Sequence, residues 1–397
     1  MGTQTMGTQI SKLQALMLAI SSITVTGHLL FIPVIINRAG RDCWLSLLVA
    51  APFALFIGYM VSTLSKWYPN QTIVEYAQSI VGRWLGTLFA LAFLFYFFHD
   101  AALSVRGFGE FFTSAITPRT PILVYFSAIV ILAGYAVRAG LEVLARTNAM
   151  FLCTMIPIGI LASILTHREK DYANFLPILE DGPGPMLLGS LNLIALYSTF
   201  LVLGMVFPQV RNARKLRAAS VLTMGILIVM FLGPVTGPVA VFGGERGAGL
   251  SFPTYQMLRD IQVAELQRLD ILAIFLWSLG SFAKISLYLY ALTYGLQKLF
   301  KLDDYRSLVA PTGALLVAFS LLLSESFIGI YRFLQDIYPI YGLLMGFVLP
   351  ALLLLIARIR RVMDSKGGPG NESERKARVR GGGGRREDNV PVRPAGR

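Results

Sequence analysis

Residues Ser21-Ser22-Ile23-Thr24-Val25-Thr26-Gly27-His28, with Pro33 a little further on, interrupt an apolar run that spans about residues 12–36. A second interruption, Tyr197-Ser198-Thr199-Phe200-Leu201 with Pro208 after it, lies in the apolar run 186–210. Thr24 precedes Pro33 by nine residues, and Thr199 precedes Pro208 by nine. Registering the two prolines therefore sets two clusters of small hydroxyl residues at matching depth. A helix that changes course at such a cluster frees backbone groups, which neighbouring hydroxyls or a ligand then satisfy. The two runs are the first and sixth of their kind along the chain. That spacing predicts two repeats of five helices, and a binding region where the first and sixth meet.

Composition agrees with a bilayer location. The chain has 397 residues, 55% hydrophobic and 14% charged, against about 45–50% and about 25% in soluble domains. A soluble enzyme, a disordered scaffold and a disulfide-rich secreted domain are excluded as classes. Cys43 and Cys153 sit in separate apolar runs and suggest neither a disulfide framework nor a zinc site. The first apolar run lacks a clear cleavage site and is expected to stay as a membrane helix.

A bilayer core about 30 Å thick needs roughly 20 apolar residues in a helix. Ten segments meet this: about 12–36, 43–65, 84–112, 120–137, 143–166, 186–210, 217–241, 266–297, 307–324 and 333–359. With the N-terminus inside, the inner loops carry 12 basic residues, from Lys12 and Lys66 to the cluster Arg211, Arg214, Lys215 and Arg217. The outer loops carry 9, Arg268 among them. That bias favours cytoplasmic termini. From Arg358 onward there are 12 basic against 5 acidic residues, +7 of the formal +13. Residues 362–397 read as a disordered basic cytoplasmic tail facing anionic lipid, with no nucleic-acid partner. The domain reading is residues 1–11 as a cytoplasmic N-terminus and 12–361 as the membrane domain, with repeats at about 12–166 and 186–361. The Gly-rich run from Gly243 to Gly249 reads as a flexible loop, with a short helix starting at Pro253-Thr254. It lacks the context of a phosphate loop.

Charges inside apolar runs are costly and carry partners or roles. Lys284 lies near the middle of the eighth run, among Gly280, Ser281 and Ser286. The third run carries His99, Asp100, Arg106 and Glu110, read as a polar network. Arg106 and Glu110 have i,i+4 spacing, as do Glu142 and Arg146. The candidate ligand-binding residues are Ile23, Thr24, Thr26, Gly27, Tyr96, Tyr197, Ser198, Thr199, Lys284 and Ser286. No catalytic set and no metal spacing is found, so neither an enzyme nor a cofactor is expected.

Several stretches resemble the B subunit of spore germinant receptors, a permease-like family in the amino acid–polyamine–organocation superfamily. They are Ile10-Ser11-Lys12-Leu13-Gln14, the run Thr26 to Pro33, Tyr68-Pro69-Asn70-Gln71-Thr72-Ile73-Val74-Glu75-Tyr76, and Leu269-Asp270 through Trp277, Lys284 and Tyr290. The resemblance covers about residues 9–360. It implies an all-α integral membrane protein with ten helices in a LeuT-like 5+5 inverted repeat, the first and sixth broken. It also implies nutrient sensing in the spore inner membrane, with A and C subunits as partners and a small, amino acid-like germinant as ligand. Val25 and Thr199-Phe200-Leu201 depart from the family's usual Gly and Gly-aromatic-Glu, so ligand identity does not carry over. A proton- or sodium-coupled amino acid transporter and a water or ion conduit are the alternative expectations.

Overall fold

The computed structural model describes residues 9–211, 213–260, 270–324 and 326–366, and every regular element among them is helical. The basic tail beyond Lys366 and Arg268 lie outside the described residues. The helices are α1 (residues 12–39), α2 (Cys43–Trp67), α3 (Arg83–Ala115), α4 (Ile122–Ala139) and α5 (Leu141–Leu165). They continue as α6 (Pro183–Gln209), α7 (Leu216–Phe242), α8 (Asp270–Phe300), α9 (Arg306–Leu322) and α10 (residues 327–366). Among the described residues, eight stretches are long and apolar enough to cross a membrane. The first of them, Lys12–Trp67, has 56 residues and is far longer than one crossing requires. It turns back at Gly40, whose φ of 52° suits only a residue without a side chain. α9 is also apolar but, at 17 residues, is shorter than these stretches.

Local sequence explains where the helices start. Two of the stretches that carry the family resemblance are capping boxes. The Ser11 hydroxyl accepts from Gln14 N–H at 3.1 Å and Gln14 Oε1 accepts from Ser11 N–H at 2.9 Å. Thr72 and Glu75 repeat the motif and start the short helix Ile73–Val81. Each box satisfies two backbone donors that a helix start leaves free.

The predicted interruptions are present as changes of winding rather than as extended backbone. In α1 the helix Lys12–Thr26 runs into a π-turn, Gly27–Phe31, and then the helix Ile32–Ala39. In α6 the helix Pro183–Ser198 tightens to 3-10 winding at Thr199–Val202 and again at Phe207–Gln209. Proline is the cause in α1. Pro33 has no N–H and its ring crowds the carbonyl four residues back, which a widened turn relieves. In α10 the same arrangement occurs twice: π-turns Phe333–Ile337 and Leu344–Val348 stop two residues before Pro339 and Pro350.

The central helices are set by burial: 83% of the apolar stretch of α6 is buried, and only 22% of that of α5. α1 packs against α5, α6, α7 and α8, while α3 packs against α8, α4 and α9. The larger departures from the sequence reading fall in α10 and in the Gly-rich run. α10 starts at Phe327 and remains helical to Lys366, five residues into the expected tail, and the part beyond Leu353 forms a separate compact unit. The Gly-rich run is not all loop, because Gly244–Ala248 closes one helical turn.

Small residues allow the closest approaches. A Cβ at Gly86 would meet backbone atoms of Gln78 and Ala77, which cannot rotate away. Gly86→Leu is therefore expected to cost about 1–3 kcal/mol through overpacking, whereas a Cβ at Gly225 meets nothing within 4 Å. Thermal melting in detergent should show Gly86→Leu several degrees below wild type and Gly225→Leu close to it. Equal melting of the two variants contradicts this packing.

Candidate functional site

Lys284 projects from the middle of α8 into a region closed to solvent, with a side-chain exposure of 0%. Its Nζ lies 2.8 Å from Asp100 Oδ2 on α3 and donates to Thr26 Oγ1 on α1 at 2.6 Å. The Thr26 hydroxyl donates in turn to Ser22 O at 2.9 Å. The other carboxylate oxygen, Asp100 Oδ1, accepts from Tyr338 OH on α10 at 2.9 Å. Tyr288, one turn along α8, places its ring 5.0 Å from Nζ and donates through its hydroxyl to Thr199 O at 3.1 Å. That carbonyl belongs to the 3-10 segment of α6, where tighter winding turns backbone oxygens away from the regular ladder.

One ion pair thus joins α1, α3, α8 and α10, and a tyrosine beside it reaches α6. Neither charge is affordable alone at this depth. Together, with charge-assisted bonds to Thr26 and Tyr338, they leave few unsatisfied lone pairs. Small residues bring the helices close enough for the contacts to form. A Cβ at Gly280 of α8 would lie 2.7 Å from Val25 Cβ, and one at Gly107 of α3 would lie 2.7 Å from Leu30 Cδ2.

The other candidate residues distribute around this junction. Ile23 is fully buried in α1. Gly27 has ordinary right-handed helical angles, so backbone freedom is not its contribution. Its contribution is space: the Phe231 ring of α7 occupies the place a Cβ would take. Tyr197 packs edge-on against Phe231 with centroids 5.7 Å apart. Ser198 donates to Ile194 O at 2.8 Å, and its Cβ would lie 2.5 Å from a Cβ at Gly346 of α10. Thr199 Oγ1 donates to Leu196 O at 2.6 Å. Tyr96 is buried against Tyr341, 5.7 Å between centroids. Ser286 is buried with no hydrogen-bond partner for its Oγ, and the same holds for Thr24 Oγ1.

The four polar residues of α3 do not form one network. Asp100 turns to Lys284 and Tyr338, whereas Arg106 and Glu110 pair with one another. Arg106 also lies over the Phe126 ring of α4, 5.9 Å from its centroid. His99 sits among Phe95, Phe319, Phe333 and Tyr341. The reason is angular: at about 100° per residue, the six steps from Asp100 to Arg106 leave the two side chains about 120° apart around the helix. Tyr288, Tyr338 and Phe231 were missed by sequence reasoning. Tyr288 was legible in principle, being one turn beyond Lys284 on the same face.

The junction is closed at both ends. On the face away from the N-terminus, Arg38 of α1 pairs with Asp336 of α10 at 2.5 Å and donates to Gln335 O at 2.8 Å. Gln335 Nε2 donates to Asn37 Oδ1 at 3.0 Å, and Tyr331 OH to Pro33 O at 3.0 Å. On the opposite face, Ile10 N–H donates to Gln209 O at 3.1 Å and Arg211 N–H to Ile10 O at 3.0 Å, as a parallel bridge between Ile10 and Val210. Gln209 Nε2 donates to Tyr290 OH at 2.5 Å.

The helical order, the interrupted first and sixth helices and the central junction define an integral membrane protein of the LeuT-type transporter fold. Solved structures with this fold include MhsT in complex with L-phenylalanine and a Na+-coupled sialic acid symporter. The first has a TM-score of 0.64 and 13% identity, covering 88% of this chain and 98% of that one. The second has a TM-score of 0.60 and 12% identity, covering 86% and 80%. Residues 9–328 match the spore germination protein family of permeases, and the chain belongs to that family. Its relatives include spore germination protein KB of Bacillus subtilis, 28% identical over 83% of this chain and 91% of that protein. Another is spore germination protein A2 of the same species, 23% identical over 82% and 88%.

Truncating one partner of a buried pair leaves the other charge uncompensated, a loss of about 3–5 kcal/mol. Lys284→Met and Asp100→Leu should each lower the melting temperature sharply. The double variant, which removes both charges, should be more stable than the sum of the two losses predicts. Strict additivity in this cycle contradicts a direct pairing.

Proposed function

We propose that this protein is the membrane subunit of a spore nutrient receptor, binding a small germinant, amino acid-like in character, where α1 and α6 change winding. The observation that carries the reading is the double link at that place. Thr26 of α1 accepts from Lys284, and Thr199 of α6 accepts from Tyr288, one turn apart on α8. A ligand taking a hydrogen bond from either segment competes with a contact that holds the helices together. It shifts the conformational balance by the difference in its affinity for the two states. The signal passes to A and C subunits in the spore inner membrane, with both termini cytoplasmic, and no covalent chemistry is involved.

Spores carrying Thr26→Val or Ser198→Ala are expected to lose the response to one nutrient, read as the fall in optical density on germination, while responses to nutrients sensed elsewhere persist. Unchanged responses to every nutrient overturn the reading. The likeness of the fold to a Na+-coupled symporter, and to a protein solved with L-phenylalanine bound, favours a second reading, coupled uptake of an amino acid. Purified protein in liposomes separates the two. Gradient-driven accumulation of substrate identifies a transporter, and saturable binding without flux identifies a sensor.

A further inference from the structure

A cavity of about 470 Å³ lies between α1, α5, α7 and α8, beside the central junction but not lined by Lys284 or Asp100. The short helix Pro253–Asp260 also contributes to its wall. Most of the lining is apolar, with Val25, Met155, Met230, Leu276 and Trp277 among the larger side chains. α5 and α7 both pack on α1 yet share almost no contact with one another. Ile156 and Ile160 of α5 and Val229 of α7 line the cavity and are exposed on the surface of the bundle as well. The cavity is therefore a side opening between α5 and α7 at the depth of the acyl chains. Glycines keep it open: a Cβ at Gly159 or Gly233 would meet nothing within 4 Å.

Besides Ser163 and Thr166 on the α5 side, its lining carries polar groups toward two ends. Toward the face away from the N-terminus stand Lys170, just beyond α5, and Thr254. Lys170 is half-buried, and burial pulls its ammonium below the usual lysine range. Thr254 is 7% exposed, and its Oγ1 has no hydrogen-bond partner. At the deep end stand Thr24 and His28 of α1, whose Oγ1 and Nδ1 are likewise unpartnered. The stretch of α5 along the cavity, Leu152 to Leu165, rises about 20 Å. A long, mostly apolar space with a half-buried ammonium at one end, in no ion pair among the described residues, matches an amphiphile with one chain and an anionic head. The volume is within the range of small-molecule sites, about 300–1,000 Å³.

We propose that this cavity binds a long-chain carboxylate from the bilayer, its head on Lys170 and Thr254 and its chain lying along α5 toward Val25. Bilayer chains are as apolar as the cavity, so burial gives little preference and the head contact supplies selectivity. The hydroxyl and imidazole at the deep end stop the chain and set a length limit. The wall it presses on is the Thr24–His28 segment of α1, next to the bond between Thr26 and Lys284. Occupancy thus stabilises one arrangement of that segment, which makes the site a regulatory one. This proposal does not depend on the germinant reading.

The test is photolabelling of the purified full-length protein in nanodiscs with a long-chain fatty acid bearing a diazirine on the chain. Label is expected in peptides covering residues 152–160 and 226–234. Gly159→Phe and Gly233→Phe fill the space and should each reduce labelling about tenfold, with the melting temperature unchanged. Gly159→Leu serves if the larger side chain prevents folding. Lys170→Gln should reduce labelling to a similar degree and Lys170→Arg should retain it, while the methyl ester of the same probe should label weakly. Label spread evenly over the lipid-facing helices, or unaffected by the filling variants, overturns the proposal. Equal competition by phosphatidylglycerol and by free fatty acid overturns it too, since two-chain lipid would then be the occupant.

Discussion

The ion pair between Lys284 and Asp100 is the constraint on which the central arrangement depends. A lone ammonium or carboxylate at mid-bilayer is too costly to keep, so each position requires the other. Because the two sit on α8 and α3, pairing fixes the spacing of two helices far apart in sequence. Thr26 and Tyr338 complete the coordination and bring in α1 and α10. The glycines at 107 and 280 follow from the same demand, because larger side chains there would hold α1 away from α3 and α8.

The same pair explains why changes of winding are tolerated at the centre. A π-turn or a 3-10 turn shifts carbonyls out of register and needs outside partners to remain stable. At Thr199 that partner is Tyr288, which is itself held against the Lys284 ammonium. The winding of α6 and the charge on α8 are therefore linked, and disturbing one disturbs the other. The closures at either end, Arg38 with Asp336 and Ile10 with Gln209, use exposed or backbone groups and are the weaker contacts of the assembly.

Much of this was legible in the sequence, for identifiable reasons. The spans were readable because hydrocarbon tolerates only long apolar helices, and the interruptions because Pro33 and Pro208 stand at equal distances from hydroxyl clusters. Lys284 stood out as a solitary charge. Its partner did not, because Asp100 shares a helix with His99, Arg106 and Glu110 and was grouped with them. Helical geometry separates them, but only the fold shows which side faces α8. Tyr338 left no signal, since nothing in a single sequence connects positions 100 and 338. The form of the α1 interruption was also missed: the hydroxyl cluster suggested freed backbone groups, whereas the segment stays helical and the place of Gly27 is dictated by the Phe231 ring.

Hydrogen–deuterium exchange on wild type and Lys284→Met in nanodiscs tests the central role of the pair most directly. If the pair anchors the junction, exchange should rise together in residues 22–31 of α1, 199–202 of α6 and 333–338 of α10, as well as around position 284. A rise confined to α8, with the other three segments as protected as in wild type, would contradict the account.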